Sequence, residues 1–179
     1  VLQLTRAHDL DLPQETYLEI IGAKTAELFA AASEAGAVSA GAPAATCAAL
    51  RRFGRNLGLA FQLVDDALDY SGASETLGKN PGDDFREGKA TLPLLLAIAR
   101  TGEAGKAFWE RTIDRREQTE ADFERARLLV SGCGALDSTL ALAEDYAVDA
   151  KAALADFDGA DGWKAAMMEL ADFAVWRRM

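Results

Sequence analysis

Histidine appears once in the 179 residues and cysteine twice, as Cys47 and Cys133, far apart and without a second ligand nearby. That scarcity excludes a disulfide framework and a zinc site built on Cys and His, and it makes a reducing cytoplasm the simplest compartment. Positive charge is also short: 19 Lys and Arg stand against 29 Asp and Glu, for a formal charge of −10. Such a balance argues against nucleic acid or an anionic membrane as the main partner. No apolar run reaches the roughly 20 positions that a membrane-spanning helix needs, so an integral membrane protein is not expected. No stretch alternates with period two, which removes the sheet classes and leaves an all-α chain. The N-terminal Val1-Leu2-Gln3-Leu4 begins without Met, as though inside a helix, so the chain is expected to be part of something longer.

What is present is apolar residue at helical spacing. Pro13 followed by Gln14 and Glu15 marks a helix start, because Pro fits a first turn and acids suit its positive end. From there Tyr17, Ile20, Ile21, Lys24, Leu28 and Ala31 share a helical spacing until Gly41-Ala42-Pro43 interrupts it. A second helix runs through "AATCAALRRFGRNLGLAFQLVDDALDY" and stops near Ser71-Gly72. A polar loop punctuated by Gly72, Gly78, Gly82 and Gly88 follows, and Thr91 caps a helix restarted by Pro93. Beyond Gly105 further amphipathic helices are expected over 106–115, 120–131, 135–156 and 163–178. Alanine is abundant, which lets helices approach closely in a large bundle.

The second helix carries the chemistry. At ~100° per residue with Asp65 at zero, Gly58, Asp69 and Gln62 fall near 20°, 40° and 60°, and Arg55 and Asp66 near 80° and 100°. The rest of the circle is apolar, so these residues form one narrow polar stripe. A solvated surface stripe is the plain alternative. Against it, Asp65, Asp66 and Asp69 have no basic residue at i+4, and like charges so spaced repel. Acids gathered this way call for a cation, and oxygen donors alone select a hard one such as Mg²⁺, usually completed by water and substrate phosphate. On this reading the stripe faces an internal polar cavity.

Cations to answer a phosphate are at hand. Lys24-Thr25 lies mid-helix in "IIGAKTAELF", where a lysine is ordinarily a snorkelling surface residue. Lys79 and Lys89 lie in the glycine-punctuated loop, and "LGK" lacks the spacing of a P-loop. Taken together, an acid stripe followed closely by lysine-bearing loops describes a diphosphate–Mg²⁺ site.

"GLAFQLVDDALDY" and "LGKNPGDDFREGKATLPLLLA" closely resemble the second aspartate-rich motif and following loop of the trans-polyprenyl diphosphate synthases, in particular bacterial octaprenyl and decaprenyl diphosphate synthases. "YLEIIGAKTAELFAAASEAGA" resembles that family's Lys-Thr helix, "VLQLT" the segment before it, and "ELADFAVWRRM" its last helix. The resemblance implies an all-α isoprenoid-synthase bundle that joins isopentenyl diphosphate to an allylic diphosphate, usually as a homodimer. It implies that Asp65 binds Mg²⁺ directly, with Asp66 and Asp69 completing the site directly or through water. Lys24 and Lys79 would hold the allylic diphosphate, and Lys89 would add charge at the same mouth. Thr25 and Gln62 would face the allylic cation, with Phe61 beside the homoallylic substrate.

One departure stands out. The family's first motif, DDxxD, has no counterpart here; the other paired acids, Asp83-Asp84, lie in the loop after the second motif. Residues 1–179 are therefore expected to be the C-terminal portion of one synthase domain, and inactive alone. A terpene cyclase would carry Asn, Ser or Thr and Glu in its second metal motif, where this chain has "DDALD". A non-catalytic regulatory subunit of a heteromeric synthase is the remaining alternative. Such subunits often lack acids that this chain has.

Overall fold

The structure is a computed structural model and describes residues 9–71, 81–157 and 162–176. The "VLQLT" segment, His8, Lys79 and Arg178 lie outside the described residues. Among those described there is no strand, and the fold is all-α, as expected. The elements are α1 (Gln14–Ile21), a π-helical turn (Gly22–Ala26), α2 (Glu27–Ser39), α3 (Ala44–Ser71), α4 (Asp83–Arg86), α5 (Leu92–Trp109), a second π-helical turn (Glu110–Asp114), α6 (Glu120–Gly132), α7 (Ala135–Ala153) and α8 (Trp163–Trp176). No single helix among them is long and apolar enough to cross a membrane.

These elements belong to two compact units. One gathers Asp65–Leu140 with the stretch ending at Ile20; the other gathers Ile21–Val64 with the stretch beginning at Ala141. The first is built on Tyr70, Phe85, Leu94, Phe108, Trp109, Ile113 and Val130, all buried. Its helix ends are set by specific chemistry. Thr119 and Asp122 form a capping box at the start of α6, and the Arg111 guanidinium grips the Asp122 carboxylate with two bonds of 2.9 and 2.6 Å. Gly102, with φ 50° and ψ −143°, breaks α5 in a conformation that other residues resist. The sequence pattern placed this break near Gly105 instead. Gly105 is small for another reason: Thr101, which accepts a bond from the Trp109 indole, fills the space of its missing side chain. Thr91 does stand at the N-cap of α5, but its hydroxyl makes no capping bond.

The second unit is centred on Leu50, Phe53, Leu57, Ala150, Leu154, Ala171 and Ala174. Here α2 ends as the sequence indicates. Gly41 takes φ 68°, its amide reaches the Val38 carbonyl and that of Ala42 the Ala37 carbonyl, which closes a Schellman motif. Residues α2 and α3 then approach at Gly54 and Gly58. A Cβ at Gly58 would stand 2.6 Å from the Ala26 Cα, and one at Gly54 would collide with the Phe29 carbonyl. Arg51 spans the same pair of helices with ion pairs to Glu34, at 2.7 Å, and Glu27.

The Arg111 guanidinium holds the Asp122 carboxyl well below the usual carboxylate range. A carboxyl depressed in the folded state binds fewer protons there than when unfolded, so its contribution is present above the unfolded value and lost on acidification. Asp122→Ala is expected to lower stability at neutral pH by at least ~1 kcal/mol, the usual worth of a lost cap. The gap between wild type and variant should begin to narrow as pH falls below about 4, the ordinary carboxylate value, and close only as pH falls through the still lower folded value. Urea unfolding at pH 7 and pH 3 checks both the size and the sign.

Candidate active-site residues

Like charges side by side on a buried helix need neighbours that donate to them, and α3 from Asp65 to Tyr70 has such neighbours within its own unit. Asp66 is 3% exposed and receives the hydroxyl of Tyr17, itself 3% exposed, at 2.6 Å. Asp69 accepts three backbone amides: Gly82 at 3.0 Å and Asp83 at 3.1 Å on Oδ1, and Asp84 at 3.0 Å on Oδ2. Gly82 takes φ 82° to aim this row of amides at the carboxylate. Burial, and then the charge of Asp84, push the Asp69 carboxyl up to about 6 in spite of those bonds. Asp65 is partly exposed.

The loop cation is closely held. Lys89 donates to Asp84 at 2.8 Å and pairs with Glu87 at 2.7 Å. Burial works to lower its pKa, but the bonds to Asp84 and Glu87 prevail and raise it. Asp83 pairs with Arg86 at 2.8 Å. Among the described residues no three or more His, Cys, Asp or Glu are grouped so as to share one ion, so the three acids of the stripe do not form a ready-made cage.

In the other unit the Lys-Thr pair is not in regular helix. Gly22–Ala26 is a π-helical turn between α1 and α2, and it carries exposed Lys24 and half-buried Thr25. Such single-turn bulges recur at functional sites. Thr25 donates to the Gln62 Oε1 at 2.8 Å, joining two of the residues singled out from sequence. Phe61, next along α3, stacks at a tilt on Phe29 with ring centres 5.7 Å apart. Two further members of the stripe are engaged within this unit. At Gly58 the stripe is closed by Ala26, and Arg55 turns to Glu27 at 3.6 Å.

Sequence reasoning passed over Tyr17 and Asp84. Tyr17 stood in the list of apolar helical positions, where its hydroxyl was the one polar signal. Asp84 belonged to a visible acid pair, but its partners Lys89 and the Asp69 carboxylate depend on a turn that spacing does not reveal.

Residues 1–130 match the family model described as Polyprenyl synthetase. The chain is 41% identical over 177 residues to octaprenyl diphosphate synthase of Escherichia coli K12, covering 99% of this chain and 54% of that protein. It is 42% identical over 137 residues to an all-trans-nonaprenyl-diphosphate synthase (geranyl-diphosphate specific) of Rhodobacter capsulatus, covering 76% and 41%. Its structure is similar to that of a polyprenyl synthase from Caulobacter crescentus complexed with calcium and isoprenyl diphosphate, with TM-score 0.95, 72% identity, and coverage of 99% and 54%. A decaprenyl diphosphate synthase from Rhodobacter capsulatus gives TM-score 0.91 at 43% identity, covering 99% and 55%. The chain thus spans about half the length of these relatives.

The glycine contact between α2 and α3 supplies a test of how the Thr25–Gln62 pair is positioned. Gly58→Ala must displace the Ala26 backbone and is expected to destabilise by about 1–3 kcal/mol, the range for overpacking. Gly36→Ala, mid-helix on α2 with nothing within 4 Å, should stabilise by roughly 0.5–1 kcal/mol. Urea denaturation of the two variants separates the packing constraint from the intrinsic helix preference.

Proposed function

We propose, from the premise that this chain belongs to the polyprenyl synthetase family, that it supplies the second metal motif and the Lys-Thr turn of a polyprenyl diphosphate synthase. The reaction would be the head-to-tail condensation of isopentenyl diphosphate onto an allylic diphosphate. The observation that carries the reading is the acid-rich turn of α3. Of three neighbouring acids, Asp66 is held by a buried tyrosine and Asp69 by backbone amides, an arrangement that a cation bound at Asp65 would stabilise. A relative 72% identical, whose structure is described with calcium and isoprenyl diphosphate, supports it further.

The donor set fits Mg²⁺. It is all oxygen, and magnesium takes one or two carboxylates with water and phosphate rather than a full protein cage. Asp65 would be the direct ligand, with Asp66 and Asp69 holding its turn in place. When bound, the ion supplies positive charge against the leaving diphosphate. In the other unit Lys24 would contact the allylic diphosphate, as Lys79 would from the loop. The Thr25 hydroxyl and Gln62 amide, already bonded to each other, would present fixed dipoles to the developing carbocation. Apolar walls such as Phe61 and Phe29 would keep out water, which would trap the cation as an alcohol. Lys89, with Asp84 and Glu87, would contribute by orienting the loop more than by bare charge. A homodimer is the assembly we expect.

These 179 residues by themselves are expected to form no polyprenyl product from an allylic primer and radiolabelled isopentenyl diphosphate, since positioning between two motifs carries much of the rate. Product should appear when the remaining length found in the relatives is supplied. In that active assembly Asp65→Ala should lower kcat by at least ~10², the scale of a lost electrostatic contact to the leaving group. Lys24→Ala should impair binding and catalysis, whereas Lys106→Ala, on an exposed pair with Glu103, should do little. Steady-state kinetics on the three variants decide it, and equal losses from both lysines would refute a specific diphosphate contact.

A further inference from the structure

The structure gives Asp66 a partner that no metal reading requires. We infer that Tyr17 is a positioning residue, whose hydroxyl anchors Asp66 inside the protein and so fixes the direction in which Asp65 is presented to a diphosphate-bound cation. This rests on the metal reading proposed above and divides the labour among its three acids.

The bond itself has the form of an anchor. At 2.6 Å it lies in the short range of a hydroxyl donating to a charged carboxylate. Both side chains are buried, where a carboxylate without such donors is strongly disfavoured. Burial first, then the charge and hydrogen bond of Asp66, push the Tyr17 hydroxyl well above its ordinary value. Asp84 acts in the same direction and a backbone bond from Leu92 in the opposite one. In the 2.6 Å bond the Tyr17 hydroxyl is the donor.

Position on the helix completes the case. Asp66 follows Asp65 directly, about 100° around α3, and Asp69 follows one turn later. Tyr17 holds the first of these and the amides of residues 82–84 hold the second. The helix is thereby pinned against rotation at two points directly following Asp65. Asp66 faces inward to Tyr17 and serves as the pin, while Asp65, partly exposed, faces the ion.

The test is calorimetric titration of the full 179-residue chain with Mn²⁺ in the presence of inorganic diphosphate, with circular dichroism and thermal unfolding alongside. Tyr17→Phe should weaken binding by about tenfold while the helical spectrum is retained, the usual scale for losing a group that orients a ligand. Asp66→Asn still offers an oxygen to the Tyr17 hydroxyl and should stay within about threefold of wild type, whereas Asp65→Asn should lose at least ~30-fold. Wild-type affinity in Tyr17→Phe would overturn the inference. So would an Asp66→Asn loss as large as that of Asp65→Asn, which would make Asp66 a ligand. The Asp66→Asn comparison decides alone if Tyr17→Phe does not fold. Undiminished binding in Asp65→Asn would instead overturn the metal reading.

Discussion

Mutual repulsion among Asp65, Asp66 and Asp69 is the constraint around which one unit is arranged. A carboxylate buried beside Leu63, Val64 and Leu68 is tolerable only with donors, and charges one turn apart cannot relax away from each other on a rigid helix. The chain meets this with dipoles. A tyrosine hydroxyl takes Asp66, and a row of amides opened by Gly82 takes Asp69. The short helix α4 is folded into the loop as a consequence, since its first amides are those that Asp69 receives. Fixing those amides also places Asp84, whose charge adds to the larger effect of burial in raising Asp69 to about 6.

In the other unit the controlling contact is steric. Gly54 and Gly58 sit one turn apart on α3, where α2 comes closer than any side chain would allow. The π-helical turn lies at this approach, because Ala26, its last residue, is the group that meets Gly58. Thr25 precedes Ala26, and Gln62 follows Gly58 by one turn. Their 2.8 Å hydrogen bond is a result of that register. A pair offered by sequence as two separate polar residues is thus one unit of chemistry, positioned by two missing side chains.

The helices themselves were legible because hydrophobic spacing and punctuation agree. Pro13, the Gly41-Ala42-Pro43 stop and the end at Ser71 come from backbone chemistry that is local and strong. Both π-helical turns were not legible. An extra residue in a turn leaves the apolar pattern on either side nearly intact, and it is stabilised by tertiary contact. The break at Gly102 was placed late because Gly105 is an equally good local breaker, and only the Thr101–Trp109 bond explains why Gly105 stays helical. In the acid stripe, spacing identified the three aspartates but treated them alike. Their different roles follow from Tyr17 and from residues 82–84, which are distant in sequence.

Charge counting explains why those roles matter. Around the stripe Arg86 is paired with Asp83, and Lys89 serves both Asp84 and Glu87. The Tyr17 hydroxyl on Asp66 and the backbone amides on Asp69 act as dipoles. A dipole fixes a carboxylate in place without itself adding a full countercharge. On the proposed reading a divalent cation with its own diphosphate would meet Asp65, which is partly exposed and stands directly before Asp66 and one turn before Asp69. Rigidity at Asp66 and Asp69 and negative charge at Asp65 are then parts of one arrangement, in which the ion needs few protein ligands because the turn that presents them cannot rotate.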